Sequence, residues 1–210
     1  MNRFLTGTEA RLVADRYDFT RATTIVDVGG RDGRLLTALV QSYPLVEGIL
    51  FDQPEVTREA RNQFAANGLS ERCRAIVGDI FAAVPQGADH YILNSVLRDC
   101  DTGCIDRLLS ACRIAMGEDS TLLMVTYRAR RSAEHPRSLR NHDRSALIEL
   151  GGVEHSEQMI RAVLDQAGLR LDSIIDTRSS VHILVCHRAD SRSHRDTPPD
   201  DRADRTDPVL

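Results

Sequence analysis

The stretch Thr23-Thr24-Ile25-Val26-Asp27-Val28-Gly29-Gly30-Arg31-Asp32-Gly33-Arg34-Leu35-Leu36-Thr37-Ala38-Leu39-Val40 decides the fold. An apolar run carries Asp27 into a glycine turn, and an amphipathic segment follows. This is the pattern of a buried parallel strand, a tight loop and a helix N-terminus. Glycine has no Cβ and tolerates φ > 0, so such a loop lets the backbone pass close to a ligand. The spacing is Asp-x-Gly-x-x-x-Gly. The dinucleotide fingerprint Gly-x-Gly-x-x-Gly fits no register of residues 28–35, which disfavours a nicotinamide oxidoreductase. A plain strand-to-helix turn has the same local pattern, so the choice between turn and ligand loop rests on the remaining chain.

Working outward, Thr8 to Tyr17 reads as a helix with Leu12, Val13 and Tyr17 as a partial apolar stripe. Downstream, Val46–Asp52, Cys73–Asp79, Asp89–Asn94 and Thr121–Tyr127 read as further strands. Pro54 suits the first turn of the helix after the second strand, and Gly68 suits its C′ end. Asp101 caps a helix that runs to Met116 and stops at Gly117. Arg128 to Asn141 is rich in Arg, Ser and Pro without an apolar period, the composition of a long surface loop, and Ser145 to Leu150 suits a short helix. Ser156 is a good N-cap for a helix reaching Ala167, with Gly168 at C′. Leu169–Asp176 and Ser180–His187 look like two strands joined by a tight turn. Residues 1–20 are an N-terminal helix and linker, 21–189 the α/β domain, and 190–210 a charged, Pro-containing tail expected to be disordered.

Strands alternating with helices mean a mostly parallel sheet with helices on both faces. In such sheets ligands bind beyond the carboxyl ends of the strands. Three acids sit near those ends, Asp27, Asp52 and Asp79. An acid ending the second strand is placed to accept both hydroxyls of a ribose, and Asp79 is placed to meet an adenine amino group. Strand-end acids also serve as caps and turn formers. Three on successive strands favour a ligand that carries a nucleoside.

Composition narrows the function class. The chain has 210 residues, 41% of them hydrophobic, enough for one α/β domain with a full core. A net charge of −4 leaves no basic footprint for nucleic acid. No apolar run reaches the roughly 18 residues of a membrane span. The start, Met1-Asn2-Arg3-Phe4-Leu5, is too short and polar for a secretory signal. The five scattered cysteines suit reduced thiols in a cytoplasm. No Cys-x-x-Cys is present and no metal site is expected. Cys100, Cys104 and Cys112 share a helical region, a spacing of four lets the first two face each other at its start, and all three read as core or near-surface thiols. The Arg128–Arg131 cluster reads as a solvated loop.

The chain resembles the S-adenosylmethionine-dependent O-methyltransferases of the plant caffeate and bacterial polyketide type. The matching motifs, in family order, are Asp27–Leu35, Phe51-Asp52-Gln53-Pro54, Gly78-Asp79-Ile80-Phe81, Val96–Asp101 and Gly151–Ser156. The resemblance covers roughly residues 8 to 188 of the chain. The resemblance implies the class I methyltransferase sheet, Rossmann-like, of seven strands with the last one antiparallel. It implies S-adenosylmethionine as cofactor. Asp27 and the glycines Gly29, Gly30 and Gly33 would form its loop, with Gly29 lining the methionine part. Asp52 would hold the ribose, Asp79 with Ile80 the adenine. Asn94 falls where the family has Lys or Ser near the cofactor.

The departures from the family are as informative. The third loop glycine is Arg31. The family's general base is a His in Leu-His-Asp-Trp, and this chain has Leu97-Arg98-Asp99-Cys100. Arginine stays protonated and cannot take a proton. A second family acid falls at Thr126, which leaves Glu154 of the catalytic set. Family members also carry a helical N-terminal domain that dimerises and completes the acceptor pocket, and the chain starts near the helix that follows it.

Methyl transfer depends mainly on aligning a nucleophile behind the methyl group, which supplies about 7–11 kcal/mol. A general base adds roughly 10²–10⁴-fold, so its loss does not by itself abolish transfer. Arg98 would stabilise a phenolate or dock a carboxylate, held by Glu154, or simply pair with nearby acids. His142 and His155 are further candidates for the base. The expected function is methylation of a hydroxyl on a small aromatic or polyketide-like molecule, in secondary metabolism. The expected state is a monomer, or a complex whose partner protein supplies the N-terminal part. The alternative is a non-methylating relative that binds the cofactor as an accessory protein or reuses the pocket for another reaction.

Overall fold

The computed structural model describes residues 5–127 and 154–190. The strands are β1 Thr24–Val28, β2 Glu47–Asp52, β3 Cys73–Val77, β4 His90–Asn94, β5 Thr121–Tyr127, β6 Leu169–Asp176 and β7 Val181–Arg188. They form one seven-stranded sheet in the order β3-β2-β1-β4-β5-β7-β6. β1 pairs in parallel with β2 on one side and β4 on the other, and β5 continues in parallel beyond β4. β7 inserts antiparallel between β5 and β6. The sheet expected from the sequence is therefore present, including its antiparallel last strand.

Burial on both faces explains the apolar density of the central strands. Successive side chains of a strand point to opposite faces. In β1, Ile25 joins Leu36, Leu39 and Phe64 under the helices α1 Gly7–Arg16, α2 Arg34–Ser42 and α3 Pro54–Ala66. Val26 and Val28 face the other way, toward Ile105, Leu108, Ile160 and Leu164 of α4 Thr102–Ala115 and α5 Glu154–Gln166. Each fully buried Leu, Ile or Phe stabilises the fold by about 1.5–3 kcal/mol.

The helix ends follow from local chemistry. Thr6 and Glu9 form a capping box on α1, the Thr6 hydroxyl accepting from Glu9 N at 3.2 Å. Pro54 opens α3, and Gly68 follows its end at φ +68°. Asp101 Oδ1 accepts from Cys104 N at 2.8 Å and caps α4. Two details differ from expectation. A 3₁₀ turn, Val96–Asp99, precedes α4, so Cys100 lies before the Asp101 cap and shares no helix with Cys104. Cys104 Sγ lies 3.3 Å from Arg107 Nη2. α5 begins at Glu154, two residues ahead of the expected Ser156 cap, which puts an acid where the helix dipole favours one. The stretch 128–141, the short helix 145–150 and the tail from 191 lie outside the described residues.

α1 runs antiparallel to the parallel strands. Its Tyr17 end meets His90 at the start of β4, the hydroxyl 3.2 Å from Nε2. Its Glu9 end meets the β6–β7 turn, where Ser180 Oγ donates to Glu9 Oε1 at 3.1 Å. The N-terminal segment therefore reaches the carboxyl ends of the strands. Among the described residues, no helix is long and apolar enough to cross a membrane, and no cluster of metal-ligating side chains occurs.

Candidate active site

The strand order reverses between β1 and β4, so the crevice beyond their carboxyl ends is a topological switch point. The glycine loop occupies it. Gly29 N donates to Phe51 O at 2.8 Å and turns at φ +68°. A Cβ on Gly29 would stand 2.8 Å from Val96 Cγ2 and 3.6 Å from Ile80 Cδ1. A Cβ on Gly30 would stand 2.5 Å from Asp27 Cγ, so the loop backbone rests on that carboxyl. Arg31 takes a left-handed φ of 57°, a conformation that stores about 1–3 kcal/mol in a residue with a side chain. Its N–H donates to Asp52 Oδ2 at 3.1 Å, which ties the loop to the end of β2. Asp32 Oδ1 accepts from Arg34 N at 3.1 Å and supplies the cap that Gly33 lacks. Gly33 packs against Phe64, where a Cβ would lie 2.8 Å from the ring.

The three acids have different environments. Asp27 is fully buried, and among the described residues neither of its oxygens has a hydrogen-bond partner. Burial first, then the charges of Asp52 and Asp32, push its carboxyl up to about 8. Asp52 is buried and accepts through both oxygens, from Arg31 N and from Gln53 N at 2.7 Å. Asp79 lies beyond the end of β3, is exposed, and accepts from Phe81 N at 2.9 Å. Ile80 beside it is buried.

Asn94, the last residue of β4, lines a small cleft with Gly30, Arg31, Asp32, Arg34 and Ser95. Leu5 closes the cleft from the N-terminal side, its carbonyl accepting from Arg34 Nη1 at 3.3 Å. The fold thus brings together Asp27, Gly29, Gly30, Asp52, Ile80 and Asn94 around the β1/β4 crevice. Gly33 and Asp79 stand at its margin. A larger groove of about 550 Å³ lies elsewhere, between Phe81, Arg107, Ile114 and Gln166, and none of the strand-end acids lines it.

Arg98 is on the 3₁₀ turn and Glu154 opens α5, but their side chains lie outside the described ones. His142 lies outside the described residues, as does the side chain of His155. The turn is anchored beside β5, because Ser95, at φ 56°, donates its N–H to Val125 O at 3.1 Å. α5 packs on β6 in the opposite direction, with Arg161 Nη1 on Leu171 O at 2.8 Å, so Glu154 comes to the carboxyl ends of the strands. Thr126 follows Val125 and is buried, its Oγ1 without a hydrogen-bond partner among the described residues. Its cross-strand neighbour is His182, also buried. No motif in the sequence singles out His182. The available signal was an imidazole inside the apolar run Val181-His182-Ile183-Leu184-Val185-Cys186.

The sheet order, with β7 antiparallel between β5 and β6 and a glycine loop at the β1/β4 crevice, defines a class I methyltransferase domain. The chain belongs to the O-methyltransferase domain family, whose family model matches residues 6–170. It is 39% identical over 184 residues to the mitomycin biosynthesis 6-O-methyltransferase of Streptomyces lavendulae, which covers 87% of this chain and 52% of the relative. The structure of the mitomycin 7-O-methyltransferase MmcR superposes with a TM-score of 0.73 at 35% identity, over 87% of this chain and 54% of that one. An O-methyltransferase from neocarzinostatin biosynthesis, solved with S-adenosylmethionine and 2-hydroxy-5-methyl naphthoic acid, gives 0.69 at 29% identity, over 84% and 52%. The chain spans about half the length of the relatives it matches.

Proposed function

We propose that this chain binds S-adenosylmethionine and directs its methyl group to a hydroxyl of a small aromatic or polyketide-like molecule. The observation that carries the reading is the approach of the Gly30 backbone to the buried, unpartnered carboxyl of Asp27 at the switch point. A Cβ at Gly30 would collide with Asp27, so only glycine lets the loop main chain lie this close to the strand end, and an orphaned acid beneath it suits a ligand held by that main chain. When bound, the cofactor supplies an electrophilic sulfonium methyl. Gly29 and Gly30 line its methionine part, Asp52 accepts from the ribose hydroxyls, and Asp79 with Ile80 bounds the adenine. Asn94 closes the crevice from β4. Arg98 and Glu154 act on the acceptor side, Arg98 by charge, since guanidinium keeps its proton.

Relatives from mitomycin and neocarzinostatin biosynthesis, the latter solved with a naphthoic acid, support aromatic acceptors in secondary metabolism. Cys73, Cys112 and Cys186 are buried free thiols, which supports a reducing, cytoplasmic setting. A second reading, a relative that binds the cofactor without methylating, draws on Arg98 and Thr126 standing where the family has its base and one acid.

Calorimetric titration with S-adenosylhomocysteine tests the cofactor assignment. Asp52→Ala should weaken binding by about tenfold to a hundredfold, given about 1.5–3 kcal/mol for a hydrogen bond to a charged group. Unchanged affinity in that variant sinks the ribose assignment. Binding of NADH without S-adenosylhomocysteine sinks the whole reading. Tight cofactor binding with no transfer to any hydroxyaromatic compound favours the second reading.

A further inference from the structure

We propose that His182 is the general base that takes the proton from the acceptor hydroxyl, an inference that rests on the methyl-transfer reading above. A neutral hydroxyl is a poor nucleophile, and removing its proton in the transition state is a recurrent source of rate. Arg98 cannot do this. Among the described side chains, His182 is the imidazole at the carboxyl ends of the strands. His90 sits at the opposite end of the sheet, against Tyr17, and His187 lies five residues further along β7.

The register places His182 where a base is useful. Thr126 of β5, His182 of β7 and Asp176 of β6 stand directly opposite one another across three adjacent strands. Directly opposite residues share a face, with Cβ atoms about 4.5–5.5 Å apart. Met124 and Leu184, two residues along, place that face under α4 and α5. This is also the face reached by Leu97 of the 3₁₀ turn. Val125 O holds that turn beside Thr126. His182 therefore stands one strand spacing, about 4.8 Å, beyond Thr126 as seen from the turn that carries Arg98.

Its burial suits the task. His182 is only 7% exposed, so the imidazole is held in one place and shielded from bulk water. Thr126 is short, and its buried Oγ1 remains available for a hydrogen bond along the row. Asp176, at the exposed end of the row, accepts from Arg178 N at 2.7 Å. Neighbouring elements also carry Glu154, His155 and Glu157 on the first turn of α5 and Arg98 and Asp99 on the 3₁₀ turn.

The step balances as follows. His182 takes the hydroxyl proton as the acceptor oxygen forms its bond to the methyl carbon. The electron pair of the breaking carbon–sulfur bond stays on sulfur. A neutral acceptor, a sulfonium and a neutral imidazole become an ether, a thioether and an imidazolium, which returns its proton to water.

The test compares the native chain with His182→Gln, or His182→Asn should the first variant not fold. Two acceptors of similar shape are used, 1-naphthol and its 4-nitro derivative, which is largely ionised at neutral pH. S-adenosylhomocysteine affinity and unfolding temperature should match the native chain. Transfer to 1-naphthol should fall by about a hundredfold or more, and transfer to the nitro compound only a few-fold. The native chain should show an acidic limb in its pH–rate profile with 1-naphthol that the variant lacks. An independent readout is the imidazole carbon signal that the variant removes from the NMR spectrum. In the native complex with S-adenosylhomocysteine it should shift when 1-naphthol is added. Equal losses on both acceptors, an unchanged rate on 1-naphthol, or an unresponsive signal each overturns the proposal. So does a native chain that binds the cofactor and methylates neither naphthol. Failure to bind S-adenosylhomocysteine at all would instead overturn the methyl-transfer reading.

Discussion

Asp27 and Gly30 show how much of the site resides in single contacts. A methyl at position 30 would sit 2.5 Å from Asp27 Cγ, whereas one at Gly7, in the first turn of α1, would meet nothing within 4 Å. Gly30→Ala should therefore weaken S-adenosylhomocysteine binding at least tenfold in calorimetry, while Gly7→Ala should be neutral or stabilise by about 0.4–1 kcal/mol. Asp27 carries a pH dependence of its own. The folded chain holds its carboxyl up near 8, against 3.8 for an unburied aspartate, because burial penalises the charged form. The folded state then binds a proton that the unfolded state has lost. That contribution is fully present below about pH 4 and declines as pH rises toward 8, by roughly 1.4 kcal/mol per unit within the window. Asp27→Asn should raise the unfolding temperature relative to the native chain far more at pH 8 than at pH 4. A difference that does not change with pH would mean that the carboxyl is satisfied. An acid at the strand end was legible in the sequence. Its place under Gly30 was not, since that depends on how the loop folds back over β1.

At the scale of elements, α1 is held at both ends by polar contacts, Thr6 and Glu9 with Ser180 at one end and Tyr17 with His90 at the other. Removing the cap with Thr6→Ala should cost about 0.5–2 kcal/mol. Calorimetric unfolding should then occur a few degrees lower, at roughly 2–4 °C per kcal/mol for a chain of this size. An unchanged transition would show that Ser180 and the apolar face hold α1 without the cap. The elements themselves were readable because the central strands are doubly buried and the helix ends carry Pro54, Gly68 and Asp101. The 3₁₀ turn at Val96–Asp99 was hidden. Its entry requires Ser95 in a left-handed conformation that only tertiary anchoring to Val125 enforces. The row Thr126–His182–Asp176 was hidden for a related reason. Cross-strand register joins residues distant in sequence, and the bulge between Leu171 and Ser173 shifts the β6 alignment that a simple count would give. Cys100 illustrates the same limit, since a spacing of four implies a contact only if the helix has already begun.

At the scale of the whole molecule, the distribution of exposed apolar surface bears on assembly. The large apolar side chains left exposed among the described residues are Leu45 at 87%, Ile114 at 66% and Val77 at 46%. They sit on the α2–β2 turn, on α4 and at the end of β3, three separate elements. Singly exposed apolar residues are normal, and association surfaces are marked by contiguous patches of several hundred Å². The net charge of −4 adds mild mutual repulsion between copies. The N-terminal end of α1 and Leu5 reach the crevice beside Gly30 and Arg34. These observations predict a monomer of 23.4 kDa at micromolar concentration, with cofactor affinity independent of protein concentration. Light scattering, alone and with S-adenosylhomocysteine, measures this directly. A stable species of twice that mass would mean that a self-complementary surface exists, and the acceptor pocket would then have to be sought across it. A mass that doubles only with the cofactor present would place that surface at the carboxyl ends of the strands, where Leu5 already meets the glycine loop.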